Sequence, residues 1–158
     1  VEPVVSAFNN IPGEKHCELK LGVRKTPSGY EPCEFFAKDV WWRGVADLLI
    51  INGGKAWLAD YKTGKSTRYA DTKQLDLLAG AVFLHFPQVK RIKSALAFIV
   101  INEFIKKNYD AGKEKECFSV FDHEISRLET AHETGVWNPV TGPLCRYCPV
   151  TSCEHNRK

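Results

Sequence analysis

The chain of 158 residues contains no methionine and no apolar run near the roughly 20 residues that a membrane-spanning helix needs. No secretory-leader or lipidation pattern is recognised among these residues, and no internal repeat or low-complexity tract appears. Charge of one sign is scarce. The net value of +3 from 22 Lys and Arg against 19 Asp and Glu is too small to argue for nucleic acid by itself. These absences exclude a helical membrane span, a repeat array and a disordered polyelectrolyte. What remains is an ordinary globular composition, 44% hydrophobic and 26% charged, in a chain long enough for one domain with a real core. A chain that starts at Val1 and has no methionine is expected to be a processed form or a fragment that lacks an N-terminal segment. Its six cysteines suit metal binding or free thiols rather than a disulfide framework, so a cytoplasmic setting is expected.

The most informative stretch that is present runs from Arg43 to Lys62. Two apolar runs flank Asn52-Gly53-Gly54, a strong hairpin signal. Pairing Ile51 with Ala56 makes Leu49 face Leu58 and Asp47 face Asp60. Opposed residues in such a pair have Cβ atoms roughly 4.5–5.5 Å apart. Lys62, two residues beyond Asp60, then projects from the same face as Asp60. The plainer reading is a surface hairpin whose charges make ordinary ion pairs. Against it, Asp47 is surrounded by Val45, Ala46, Leu48, Leu49, Ile50 and Ile51, and a buried unpaired carboxylate is costly. Two adjacent carboxylates call for a cation, and Mg²⁺ or Mn²⁺ takes oxygen ligands of this kind. With a nearby ammonium, that set suits phosphodiester hydrolysis.

Along the rest of the chain, residues 1–13 read as the end of a helix followed by a Pro12-Gly13 turn. Strands are expected at 17–23, 33–37, 39–51, 56–62 and 94–101, with a turn at Lys25–Gly29. Leu75, Leu78, Ala79, Val82 and Phe83 recur at three- and four-residue spacing, which predicts a helix over 71–86 closed by Pro87. A second helix is expected over 118–136, ending at Gly135. Lys62, Lys65, Arg68 and Lys73 form a basic cluster beside the acids; Lys90, Arg91 and Lys93 form a second, and Lys106-Lys107 a third. Lys65, Arg68 and Lys73 are therefore candidates for contacts to DNA, with Tyr69 as a base contact. Of Trp41 and Trp42, one is expected in the core and the other at its rim or against an unpaired base.

Gly44-Val-Ala-Asp47, Asp60-Tyr-Lys-Thr-Gly-Lys65 and Gln74-Leu75 together resemble the PD-(D/E)XK nuclease superfamily, in particular its RecB-like branch. The resemblance covers roughly Glu18 to Ala79. It implies an α/β restriction-endonuclease-like core, with a central mixed sheet flanked by helices. It also implies a metal-dependent deoxyribonuclease, similar to phage-type exonucleases that act on DNA ends or single strands in replication, recombination or repair. Asp47 and Asp60 become metal ligands, the Tyr61 carbonyl a third, and Lys62 the catalytic lysine. Gln74 becomes a residue of the site or a contact to DNA. Family members have a further upstream ligand, for which Glu18 is the candidate, with His16 as an alternative; a solvent-facing charge on an edge strand is the plainer account of Glu18. Leu78 stands where many relatives have tyrosine. The alternatives are a non-catalytic DNA-binding or assembly module, and an endonuclease on the same fold.

Cys145, Cys148 and Cys153 form a Cys-x2-Cys-x4-Cys trio in the tail. Soft thiolates at this spacing suit zinc or an iron–sulfur cluster. The trio resembles the C-terminal ligands of a 4Fe–4S cluster found in some RecB-like nucleases, whose N-terminal cysteine is not evident here. His155, Cys33 or Cys117 could instead complete a Zn²⁺ site. Cys17, Cys33 and Cys117 otherwise read as small apolar residues. The expected partition is a nuclease domain over 1–140 and a cysteine-rich tail over 141–158.

Overall fold

The computed structural model describes residues 2–156. They form two compact units, Val1–Val120 and Phe121–Lys158.

The first unit is built on a six-stranded sheet in the order β2-β1-β3-β4-β5-β6. Its strands are β1 (Glu14–Thr26), β2 (Gly29–Cys33), β3 (Trp42–Asn52), β4 (Lys55–Lys62), β5 (Arg91–Phe98) and β6 (Glu103–Asp110). Helix α1 (Glu2–Asn9) precedes the sheet, α2 (Lys73–His85) joins β4 to β5, and α3 (Glu114–Phe118) follows β6. Every neighbouring pair is antiparallel except β4 and β5, which run parallel. Only that pair needs a long crossover, and α2 supplies it. This mixed sheet with flanking helices is the α/β restriction-endonuclease-like architecture.

The β3–β4 hairpin turns at Gly53, whose φ of 57° is readily reached only without a Cβ. Its register matches the expected pairing from Asn52↔Lys55 to Leu48↔Ala59. Helix α2 begins where the Asp71 carboxylate accepts the Lys73 N–H at 2.8 Å. Its five predicted apolar positions are all buried, in one core with Leu21, Leu49, Leu58, Leu96 and Phe118. Each such leucine or phenylalanine contributes about 1.5–3 kcal/mol of burial. On the opposite face, Phe8 and Ile11 pack with Trp57 and Tyr61 over Leu48, Ile50 and Ala59.

Several expected boundaries are corrected. The strand expected over 33–37 ends at Cys33, and β3 begins at Trp42, so Phe35 and Phe36 lie in the connecting loop. Strand β6 was not expected at all. It is an exposed edge whose alternation is masked by the Lys106-Lys107 pair; Ile105 and Tyr109 give it its inner face. The helix expected over 118–136 starts later: α3 ends at the fully buried Phe118, a 3-10 turn spans Ser119–Phe121, and the next helix begins only at Asp122. Both tryptophans are half-buried and pack against the core, their ring centres 5.8 Å (Trp41) and 6.5 Å (Trp42) from that of Phe118.

The second unit contains α4 (Asp122–Thr134), which stops at Gly135 in the left-handed region with φ 70°. A short 3-10 turn at Pro143–Tyr147 leads into the cysteine tail.

Candidate active site

The site forms where β3 and β4 part. Their ladder ends at Leu48↔Ala59, one pair short of the two acids. Beyond that point β3 pairs only with β1, and β4 pairs only with β5. Asp47 uses the opening: its Oδ2 accepts the Tyr61 backbone N–H at 2.8 Å.

A shift in strand phase accompanies the opening. Ala46 and Leu49 both join the α2-side core, although strict alternation sends residues three apart to opposite faces. Strand β1 shifts in the same row, where Glu18 lies between the pairs Cys17↔Leu48 and Leu19↔Ala46. Glu18 has φ 51°, an uncommon value for a residue with a side chain. His16 before it packs its ring 5.7 Å from Phe86, while Leu19 and Leu21 beyond it also join the α2-side core. His16 and Glu18, two residues apart on one strand, therefore do not present their side chains to the same face as strict alternation would have it. Glutamate gives no sequence signal for such a pivot, which glycine, asparagine or aspartate would have announced.

Asp60 is buried, 7% exposed, in the middle of this region. Its Oδ2 lies 2.6 Å from the Lys62 ammonium, and its Oδ1 accepts a hydrogen bond from the Gln74 amide. Lys62 in turn donates to Gln74 Oε1 at 2.9 Å. Asp60, Lys62 and Gln74 thus form a closed triangle, with both ends of the Gln74 amide in use. Lys62 has three N–H donors, of which the triangle engages two.

Oxygen donors on Asp47 and Asp60 match the chemistry of a hard divalent cation. The ammonium beside Asp60 Oδ2 already stands where positive charge is stabilised. Glu18 is exposed on β1 and is not drawn into a cluster with the two aspartates. Among the described residues, no three His, Cys, Asp or Glu side chains are grouped to hold a metal. That statement includes the cysteine trio. Cys145 Sγ accepts the Gly142 N–H at 3.3 Å, and Asn156 ties the Cys148 and Val150 carbonyls together at 2.9 Å each. Cys33 and Cys117 are buried, whereas Cys17 is exposed. Burial, and then Asp76, push the Cys117 thiol up to about 11, against service as a thiolate ligand.

A shallow pocket beside the triangle is lined by Lys62, Gly64, Ser66, Tyr69 and Gln74 over Phe98. Lys65, Arg68 and Tyr69 are exposed at its rim, the Arg68 guanidinium lies 5.3 Å from the Tyr69 ring, and Lys73 is half-buried. Leu78, four residues after Gln74, is buried in the core and does not face the site.

Two residues of the surroundings were not foreseen. Asp76, in the first turn of α2, is buried and pairs with Lys107 of β6 at 2.6 Å. Burial and Asp76 together push the nearby Tyr109 hydroxyl well above the ordinary tyrosine range. This contact fastens the start of α2, and with it Gln74, to the edge strand β6. Read as sequence, Lys107 was only part of a surface pair.

This chain belongs to the PD-(D/E)XK nuclease superfamily, whose sequence pattern matches residues 13–153. A solved structure titled "Crystal structure of SSO0001" is similar at 15% identity and a TM-score of 0.44. The likeness covers 99% of this chain and 66% of that one, so the chain spans just under two thirds of that protein's length. No curated protein matches.

Proposed function

We propose that the protein is a divalent-metal-dependent deoxyribonuclease of the RecB-like branch, working as an exonuclease on DNA ends or single strands. The observation that carries this reading is the Asp60–Lys62–Gln74 triangle beside the Asp47–Tyr61 contact, at the point where β3 and β4 separate. Asp47 and Asp60 would hold Mg²⁺ or Mn²⁺, with the Tyr61 carbonyl as a further oxygen donor. Such an ion, when bound, offsets phosphate charge and lowers the pKa of a coordinated water.

The protein groups supply the rest. Gln74 fixes the Lys62 ammonium from one side and Asp60 fixes it from the other, so its remaining N–H is aimed without rotamer search. That donor stabilises the negative charge that grows on the phosphoryl oxygens as water attacks phosphorus and the ester oxygen departs. Lys65 and Arg68 at the pocket rim hold the adjacent phosphates, Tyr69 offers a ring to the terminal base, and Lys73 adds charge at the start of α2. The nuclease domain in this reading is 1–140, followed by the tail over 141–158. No step requires a 4Fe–4S cluster or Zn²⁺ at Cys145, Cys148 and Cys153; iron and zinc analysis of anaerobically purified protein tests that separate assignment. A phage origin is consistent with the Val40–Asp47 pattern.

Digestion of end-labelled linear DNA and of closed circular single strands, with Mg²⁺, Mn²⁺ or EDTA, tests the reading. Linear substrate should be degraded only with metal, and the circles should persist. Lys62→Ala and Asp60→Ala should each lower the rate at least about 100-fold, as removal of transition-state donors does. Wild-type rates from Lys62→Ala would refute the site, and cut circles would refute the exonuclease assignment.

A further inference from the structure

On the sheet face away from α2, the loop after β2 carries two adjacent phenylalanines. Phe36 is 75% exposed, whereas Phe35 is half-buried, and their rings meet edge-on at 4.9 Å. Two cations from different strands reach the same rings. Lys20 Nζ lies 5.7 Å from Phe35 and 5.9 Å from Phe36, and the Arg43 guanidinium lies 5.7 Å and 5.8 Å from them. The strand register explains the convergence, since Lys20 pairs with Val45 and Gly22 pairs with Arg43. Gly22 permits it. A Cβ there would come within 2.8 Å of the Cys33 and Glu34 carbonyl oxygens, so only glycine lets the loop cross the sheet closely enough to lay Phe35 over β1 and β3. Val45, 40% exposed, continues the apolar surface along β3.

Anchoring the loop needs only Phe35. Phe36 stands out in solvent as part of a contiguous apolar patch, which calls for an explanation that a lone exposed side chain would not. A flat ring between two cations is the arrangement that takes a nucleobase on the ring and its flanking phosphates on the cations. The patch lies on the stretch of β3 that runs to Asp47, on the face opposite α2, so a strand held there reaches the Asp60–Lys62–Gln74 triangle around the open end where β3 and β4 part. Arg43 is four residues from Asp47, about 13 Å at the usual strand rise. We propose that Phe36, with Lys20 and Arg43, is a stacking platform for single-stranded DNA that guides the strand along β3 towards Asp47. The platform takes its substrate class from the nuclease reading and adds the single-strand preference. Duplex DNA, whose bases are stacked inside, gains nothing from Phe36.

Binding of a fluorescein-labelled oligothymidylate of about 20 nucleotides, measured by anisotropy in EDTA, tests this without turnover. A blunt duplex serves as the comparison. Phe36→Ala and Phe36→Leu should each weaken oligothymidylate binding by about 5- to 150-fold, the range that base–aromatic stacking gives, and leave duplex binding within about twofold. Phe36→Trp should restore it. Lys20→Ala and Arg43→Ala should each flatten the dependence of log affinity on log salt by about 0.7 to 1. Thermal melts of the variants should match wild type, because the Phe36 side chain is exposed. The proposal is overturned if wild type does not bind the oligonucleotide, if Phe36→Ala binds within twofold of wild type, or if both substrates weaken alike. It is also overturned if Phe36→Ala abolishes self-association instead, which would assign the patch to a protein contact. A protein that binds through Phe36 but never cleaves would end the nuclease reading and leave the platform standing. Cleavage that is indifferent to Phe36 would do the reverse.

Discussion

Replacing Lys62 by methionine keeps the length of the side chain and removes its charge, which leaves the buried Asp60 carboxylate facing only the Gln74 amide. Breaking one side of a fully buried ion pair costs about 3–5 kcal/mol. Here the Lys62 side chain is 34% exposed and that of Asp60 10%, so solvent screens the pair and about 1–3 kcal/mol is the fitting range. At roughly 2–4 °C per kcal/mol for a chain of this size, Lys62→Met should melt about 2–12 °C below wild type in EDTA. Mg²⁺ should then reverse much of the loss. On the proposed function a cation would compete with the Lys62 ammonium for Asp60 Oδ2 in wild type, whereas in the variant that oxygen would be open. A ligand at 100 times its Kd stabilises by about 2.7 kcal/mol, so the Mg²⁺ or Mn²⁺ shift in Tm should be several degrees larger for Lys62→Met than for wild type. Scanning fluorimetry over a metal titration measures both quantities. The double variant Asp60→Asn, Lys62→Met removes the stranded charge and should melt near wild type with no metal response. Equal melting of Lys62→Met and wild type in EDTA, or equal metal shifts, would refute this account of Asp60.

Two further perturbations address the surroundings. At Gly44 an added Cβ would lie 2.5 Å from the Trp42 indole, which packs on the same core, so Gly44→Ala should cost about 1–3 kcal/mol in urea unfolding, and an unchanged midpoint would show that the indole yields freely. Folding raises the Cys117 thiol from 9.0 to about 11, so its stabilisation is complete below pH 9 and is lost as pH rises towards 11. That loss, about 2–3 kcal/mol, should shrink in Cys117→Ala, and parallel alkaline declines of variant and wild type would contradict it.

The hairpin was legible because its signal is local. Asn52-Gly53 and the apolar runs determine the pairing down to Leu48↔Ala59, and Asp60 and Lys62 follow on one face. Helix α2 was legible for the same reason, since its period and Pro87 lie within one segment. Strand β6 was not, because an edge strand buries one face only and the adjacent Lys106 and Lys107 hide its alternation, Lys107 lying on the inner face beside Ile105 and Tyr109. The left-handed Glu18 and the Asp76–Lys107 pair were illegible for a further reason. Each depends on what another strand or helix presents to it, and neither residue type announces a pivot or a buried partner. Phe35 and Phe36 misled in the opposite direction, since their β propensity suggested a strand where Gly22 makes room for a crossing loop.

The tight turn at Gly53 gives the hairpin the character of a vernier. Lengthening it by a single residue would slide β3 one step against β4, and each step carries every side chain to the other face. Another residue, Ala46 or Leu48, would then meet the Tyr61 amide in place of Asp47. Chain length at a solvent-exposed bend thus sets which atom arrives at a reaction centre several residues away, and indels there should be far less tolerated than in the loops at the outer edges of the sheet.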